Sequence, residues 1–262
     1  MAVLVRIIGD DDGSDEYGAA KRLKKIIEES VPQTAMGEVV LFPSATLYGQ
    51  AVKDVDIFMI GELKNYSAKA KFNHGDDFQE DIVYLESFCT AIEVKSHGIS
   101  GIRREGTNIQ VYYSNTGWHN ATKQSNDQKT SAMNFFNNAL GDSPYITNLL
   151  WFVEVSEQEL DNLLSVGSNV MPSNAIPSTF DFSTVLQKVK KAVVFSTSWI
   201  SKHFLDLIKK GLAKTGIAVI FQGIGYNADK PLLYYSKKIA LERGYDVKVV
   251  EYSGIDKGSL DR

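Results

Sequence analysis

The chain has 262 residues, 44% hydrophobic, 11% aromatic and 23% charged, a composition that supports a folded core and excludes a disordered or fibrous protein. Mean hydropathy is slightly negative and no apolar run reaches the roughly 18 residues of a membrane span. The net charge of −4 hides an asymmetry: residues 1–190 carry 16 Lys and Arg against 25 Asp and Glu, residues 191–262 carry 12 against 7. The acidic part is therefore no general nucleic-acid-binding surface, which needs a basic patch.

In chain order, VLVRII (3–8) predicts a strand. Ser14 is the expected N-cap of a helix over 17–30, with Asp15 and Glu16 favourable in its first turn and Ala19, Ala20, Leu23, Ile26 and Ile27 as its apolar stripe. Residues 37–49 read as a strand interrupted at Pro43, and 53–61 as a strand entering a buried sheet. A polar, acidic connection is expected over 62–81, then buried strands over 87–97 and 109–114. A long amphipathic helix follows over 120–140, a strand over 146–155, and a helix over 156–165 opened by a Ser156–Glu159 capping box. Residues 166–181, rich in Gly, Ser, Asn and Pro, mark a linker. Beyond it the pattern predicts a helix from Phe182, a strand over 192–197, a helix ended by Gly211, and a strand–helix–strand unit over 217–225, 231–244 and 245–254. The domain organisation expected is 1–155, a helical linker region over 156–190, and a smaller α/β segment over 191–262. The single Cys89 excludes an intramolecular disulfide and a Cys-rich zinc site, and the opening residues have no leader-like pattern. A reducing, cytoplasmic compartment and no membrane association are expected.

The chemistry concentrates in Asp56 and in Ile92-Glu93-Val94-Lys95. Each charge lies inside an apolar strand pattern, where it is costly unless paired or metal-bound. Alternation puts Glu93 and Lys95 on one strand face with Val94 opposite. Two carboxylates and an ammonium can thus converge at one place, as a Mg²⁺ or Mn²⁺ site or as an ion pair. Asp54 shares a face with Asp56 and competes for the same role. The apolar run that follows favours Asp56.

The order of helix, strand with Asp, strand with Glu-x-Lys, further strand and helix resembles the core of the PD-(D/E)XK nuclease superfamily. More narrowly, SDEYGAAKRL, VDIFMIG, SFCTAIEVKSHG and ATKQSNDQKTSAMNFF resemble the nuclease-related domain, over roughly residues 5–155. The resemblance implies a restriction-endonuclease-like mixed sheet flanked by helices and Mg²⁺- or Mn²⁺-dependent hydrolysis of DNA. It makes Asp56 and Glu93 metal ligands, with the Val94 carbonyl, and Lys95 the catalytic lysine. Glu16 matches the acid that often completes such a site, against a plain helix-terminus role. Gln128 matches a helix glutamine near the site, with Gln124 one turn earlier. Either would bond the DNA backbone or the attacking water, or simply face solvent. DNA is the implied partner, with a helicase-type module or a second copy of the chain as further ones. The rival reading is a non-catalytic nucleic-acid-binding or scaffold module on the same fold.

His97 and His119 form no metal-ligand spacing. Tyr112, Tyr113 and Trp118 are candidates for base stacking or for packing. GLAKTG (211–216) lacks the spacing of a phosphate loop, so no ATP-driven motor is expected. The tail resembles the opening of an α/β hydrolase, with Gln222-Gly223-Ile224-Gly225 near the usual oxyanion loop, but no G-x-S-x-G follows. A lone strand–helix–strand cannot bury both sheet faces, so the tail is expected to dock on the first domain, pair with another chain, or belong to something longer.

Overall fold

The computed structural model of the protein describes residues 3–74, 77–84, 87–165, 174–188, 197–212, 216–221, 231–242 and 245–250. It is an α/β protein. The strands are β1 (Val3–Ile7), β2 (Met36–Thr46), β3 (Asp54–Lys64), β4 (Ser67–His74), β5 (Asp77–Tyr84), β6 (Ser87–Lys95), β7 (Ile102–Glu105), β8 (Asn108–Tyr113), β9 (Gly117–Asn120), β10 (Ile146–Phe152), β11 (Ala175–Ile176), β12 (Gly216–Phe221) and β13 (Tyr245–Val250). The helices are α1 (Asp15–Ser30), α2 (Ala121–Leu140), α3 (Glu157–Ser165), α4 (Phe182–Lys188), α5 (Thr197–Leu212) and α6 (Pro231–Glu242). The described residues form two compact units, 1–204 and 205–262.

The first unit is built on a six-stranded mixed sheet of order β1-β2-β3-β6-β10-β11. β2 and β6 both run antiparallel to β3, while β1 joins β2, β10 joins β6 and β11 joins β10 in parallel. Strand alternation sends Ile57, Met59, Phe88, Ile92, Leu149 and Trp151 into one core with Ala20, Leu23 and Ile27 of α1 and Phe182 and Val185 of α4. The opposite face carries Phe42 and Phe58. These pack with Phe136 of α2 around Phe204, whose ring stacks on Phe58 at a centroid distance of 4.5 Å. Apolar residues on both faces explain the continuous hydrophobic runs of the central strands. β7, β8 and β9 form a separate three-stranded antiparallel sheet. Ile102, Ile109 and Val111 of this sheet pack with Phe152 and with Leu160 and Leu164 of α3.

Several expectations need correction. The polar stretch 62–81 is no plain connection: β3 runs on to Lys64 and β4 and β5 pair as an antiparallel hairpin. β7 and β9 flank the one strand expected in this region. α3 and α4, read as a linker region, contribute Leu160, Leu164, Phe182 and Val185 to the cores of the first unit, and β11 pairs with β10 at Ala175 and Ile176. The strand expected at 192–197 falls almost wholly outside the described residues, which resume with Thr197 in α5, and Gln222–Gly225 lies outside them altogether.

α1 begins as its sequence dictates. The Ser14 side chain accepts the Tyr17 N–H at 3.2 Å, and Asp12 in turn accepts the Ser14 N–H at 3.0 Å. Ser14→Ala is expected to destabilise the fold by about 1 kcal/mol, measured by urea denaturation. A change under about 0.3 kcal/mol would show that the cap contributes nothing.

In the second unit β12 and β13 pair in parallel, and α6 packs against both, as expected for the strand–helix–strand reading. No helix among the described residues is long and apolar enough to cross a membrane.

Candidate functional site

The candidate site lies on the α2-facing side of the first unit's sheet, where the β-ladder lapses. β2 and β3 pair through Pro43–Ile57 and resume at Ala45–Val55, skipping Ser44, the residue opposite Asp56. Ser44 has φ 49°, the left-handed region that a non-glycine residue enters at a cost. On the other side, the pairing of β3 with β6 stops at Ile57–Ile92. Asp56 thus sits where both neighbouring ladders are interrupted. Its carboxylate takes the place of a ladder acceptor: Oδ2 accepts the Val94 N–H at 2.7 Å.

Glu93 and Lys95 project from β6 toward α2, as alternation requires. Glu93 is 1% and Lys95 4% exposed. They form a buried ion pair, Lys95 Nζ to Glu93 Oε1 at 2.5 Å. The ammonium's other donors reach Tyr113 Oη and Gln124 Oε1, each at 3.1 Å. Glu93 Oε2 accepts from the Gln128 amide, which also reaches the Asp54 carbonyl oxygen at 3.3 Å. Gln124 and Gln128 are one turn apart on α2, so both amides meet β6. Gln124 is exposed and forms the solvent rim; Gln128 is buried. The Gln128 Oε1 atom is buried without a hydrogen-bond partner, an unusual state for a native polar group.

The electrostatics follow from burial. Desolvation, then repulsion from Glu93, pushes the Asp56 acid up to about 7, although the Val94 N–H and the Lys95 charge pull it down; Glu16 adds to the rise. Desolvation also raises Glu93, against the pull of Lys95 and of the glutamine amides. Burial pulls Lys95 down, but Glu93 and Tyr113 outweigh it and hold the ammonium above its ordinary range. The site holds more negative charge than one lysine offsets.

Asp56, Glu93, Lys95 and Gln128, expected together, are brought together. Gln124, read as either a ligand-facing or a solvated residue, joins them as the exposed rim. Glu16 reaches Asp56 through its charge. Asp54 turns away: it is exposed, and its carboxylate accepts from Thr46 Oγ1 at 3.4 Å. The alternative of a fully solvated helix face does not hold for Gln128. Tyr113, read as a stacking or packing residue, instead accepts from the Lys95 ammonium. The alternation Ile109, Val111, Tyr113 in β8 was the available signal, since it turns the phenol inward with two buried residues.

Among the described residues no group of three or more His, Cys, Asp and Glu is placed to hold a metal ion. Asp56 and Glu93 are a pair. His97 lies edge-on to Tyr113 at 4.8 Å, and burial and the Lys95 charge lower its pKa. His119 contacts Thr116 Oγ1 at 2.7 Å. Cys89 is buried and its thiol is pushed up by desolvation, which leaves it a core residue. No protein-family model matches the chain, and no curated protein or solved structure is significantly similar to it.

Proposed function

We propose that the protein hydrolyses phosphodiester bonds in DNA with the help of Mg²⁺ or Mn²⁺, on a restriction-endonuclease-like mixed sheet of the nuclease-related type. The observation that carries this reading is the meeting of Asp56, Glu93 and Lys95 at one lapse in the sheet, with the exposed Gln124 at its rim. Two raised carboxylates beside one ammonium suit a hard divalent cation, which would supply the positive charge the site lacks. The orphaned Gln128 Oε1 suits a hydrated one, since it can accept from a bound water. Asp56, Glu93 and the Val94 carbonyl would hold the ion, with water completing a shell that a pair of carboxylates leaves open. When bound, it would activate water and stabilise charge on a phosphoryl oxygen. Glu93 orients Lys95 through the ion pair, and Tyr113 and Gln124 fix the direction of its ammonium. Lys95 would stabilise the developing negative charge. Gln128 holds Glu93 in place through its amide.

A second reading has an observation in its favour. Both Glu93 oxygens and all three donors of Lys95 are already matched by protein groups, as in an ion pair that serves only the fold. That reading is a non-catalytic module. Plasmid cleavage in Mn²⁺ and Mg²⁺ separates the two. Wild type is expected to cut, and Lys95→Ala to lose about 100-fold or more, with its folding checked by circular dichroism. Absence of cleavage by wild type, or equal rates in a folded variant, would leave the structural role.

A further inference from the structure

The β7–β8–β9 sheet has two unlike faces. One turns Ile102, Ile109 and Val111 into the core and sends Tyr113 to Lys95. The other carries Arg103 opposite Gln110 and Tyr112 opposite Trp118. Tyr112 is 47% and Trp118 38% exposed, with ring centroids 5.3 Å apart in an edge-on arrangement. The Arg103 guanidinium lies 4.2 Å from the Trp118 ring. Two bonds to Gln110 Oε1, at 2.9 and 2.6 Å, fix its plane. The carboxylate on this face, Glu105, is engaged by the Gln110 amide. Among the described residues Arg103 has no carboxylate at ion-pair distance.

We infer that this face is a stacking platform for the unpaired bases of a single-stranded nucleic acid, with Arg103 receiving an adjoining phosphate. The inference deepens the proposed function and takes from it the direction toward nucleic acid. Exposed aromatic rings and a guanidinium plane are the surfaces on which splayed bases stack. A duplex hides its base faces and offers mainly phosphates, which an acidic unit with a single unpaired arginine on this face attracts poorly. An exposed cation fixed on an indole without a carboxylate is complementary to a phosphate. Continuity with the candidate site is direct, since Tyr112 and Tyr113 are consecutive residues pointing to opposite faces of β8.

The test is fluorescence anisotropy of the full chain in EDTA, with a labelled oligothymidylate of about 20 nucleotides and a duplex of equal length. The single strand is expected to bind about tenfold more tightly than the duplex. Trp118→Ala and Tyr112→Ala should each weaken it about tenfold. Trp118→Phe, which keeps an aromatic face, should retain most of the affinity. Arg103→Ala should lower the salt slope by about 0.7. Equal or tighter duplex binding, unchanged affinity in both alanine variants, or no binding by wild type would overturn the platform. Cleavage in Mn²⁺, scored separately, keeps the two readings apart. Platform-dependent binding without any cleavage would retain the inference and remove hydrolysis, whereas cleavage indifferent to Trp118 and Tyr112 would do the reverse.

Discussion

Mn²⁺ is expected to raise the Tm of wild type, and Asp56→Asn is expected to abolish that rise while leaving the metal-free protein at least as stable as wild type at pH 8. The amide oxygen can still accept the Val94 N–H that Asp56 Oδ2 accepts at 2.7 Å. What disappears is a half-buried negative charge next to Glu93. Burial and Glu93 lift the Asp56 acid to about 7, above its unfolded value near 3.8. The folded state therefore binds this proton more tightly than the unfolded chain. Its contribution to stability is fully present below about pH 4 and is lost as pH rises through 7. Over that window wild type should lose on the order of 3 kcal/mol at this site, and Asp56→Asn should lose none of that share. A cation that needs the ionised carboxylate should stabilise wild type more at pH 8 than at pH 6. Thermal melts of both proteins at the two pH values, with and without Mn²⁺, check all three statements. A persistent Mn²⁺ shift in Asp56→Asn would remove this residue from the proposed cation site.

Lys95→Met should be the most damaging single change in the site. It leaves Glu93, 1% exposed, without its cation, and breaking one side of a buried pair costs about 3–5 kcal/mol. The cost should be larger at pH 8 than at pH 5, since on the acid side a proton on Glu93 replaces the missing ammonium. The double variant Glu93→Gln, Lys95→Met removes both charges and should recover most of the loss, giving a coupling above about 2 kcal/mol. Urea denaturation of the four proteins measures it. Strict additivity would mean that the 2.5 Å pair is screened by solvent, contrary to its burial. The double variant should remain unable to cleave DNA. Stability and activity then part company at the same two residues.

The site was legible in the sequence wherever a charge interrupted an apolar strand. Asp56, Glu93 and Lys95 stood out because Val, Ile and Phe surround them, and strand alternation fixed which of them share a face. The six-stranded sheet was largely legible for the same reason: its central strands are apolar on both faces. The β4–β5 hairpin was not, since the charged sequence of 67–84 conceals its alternation. β7 and β9 are four residues each, too short to show a period against turn residues. Gln128 was placed near the site only by the resemblance, with a solvated helix face as the alternative, because nothing local reveals that a buried carboxylate lies across from it. Tyr113 was hidden by chemistry, since a tyrosine at the end of a strand fits packing, stacking and hydrogen bonding equally well. Ser44 gave no signal beyond the adjacent Pro43, because serine is not a residue that favours a positive φ.

That single left-handed serine has a corollary. A β-branched residue at 44, which resists a positive φ, is expected to draw β2 and β3 toward continuous pairing past Asp56. Such a variant would forfeit the place where the acid stands apart from its neighbours. The setting of Asp56 therefore depends on a backbone position outside the cluster of charged side chains itself.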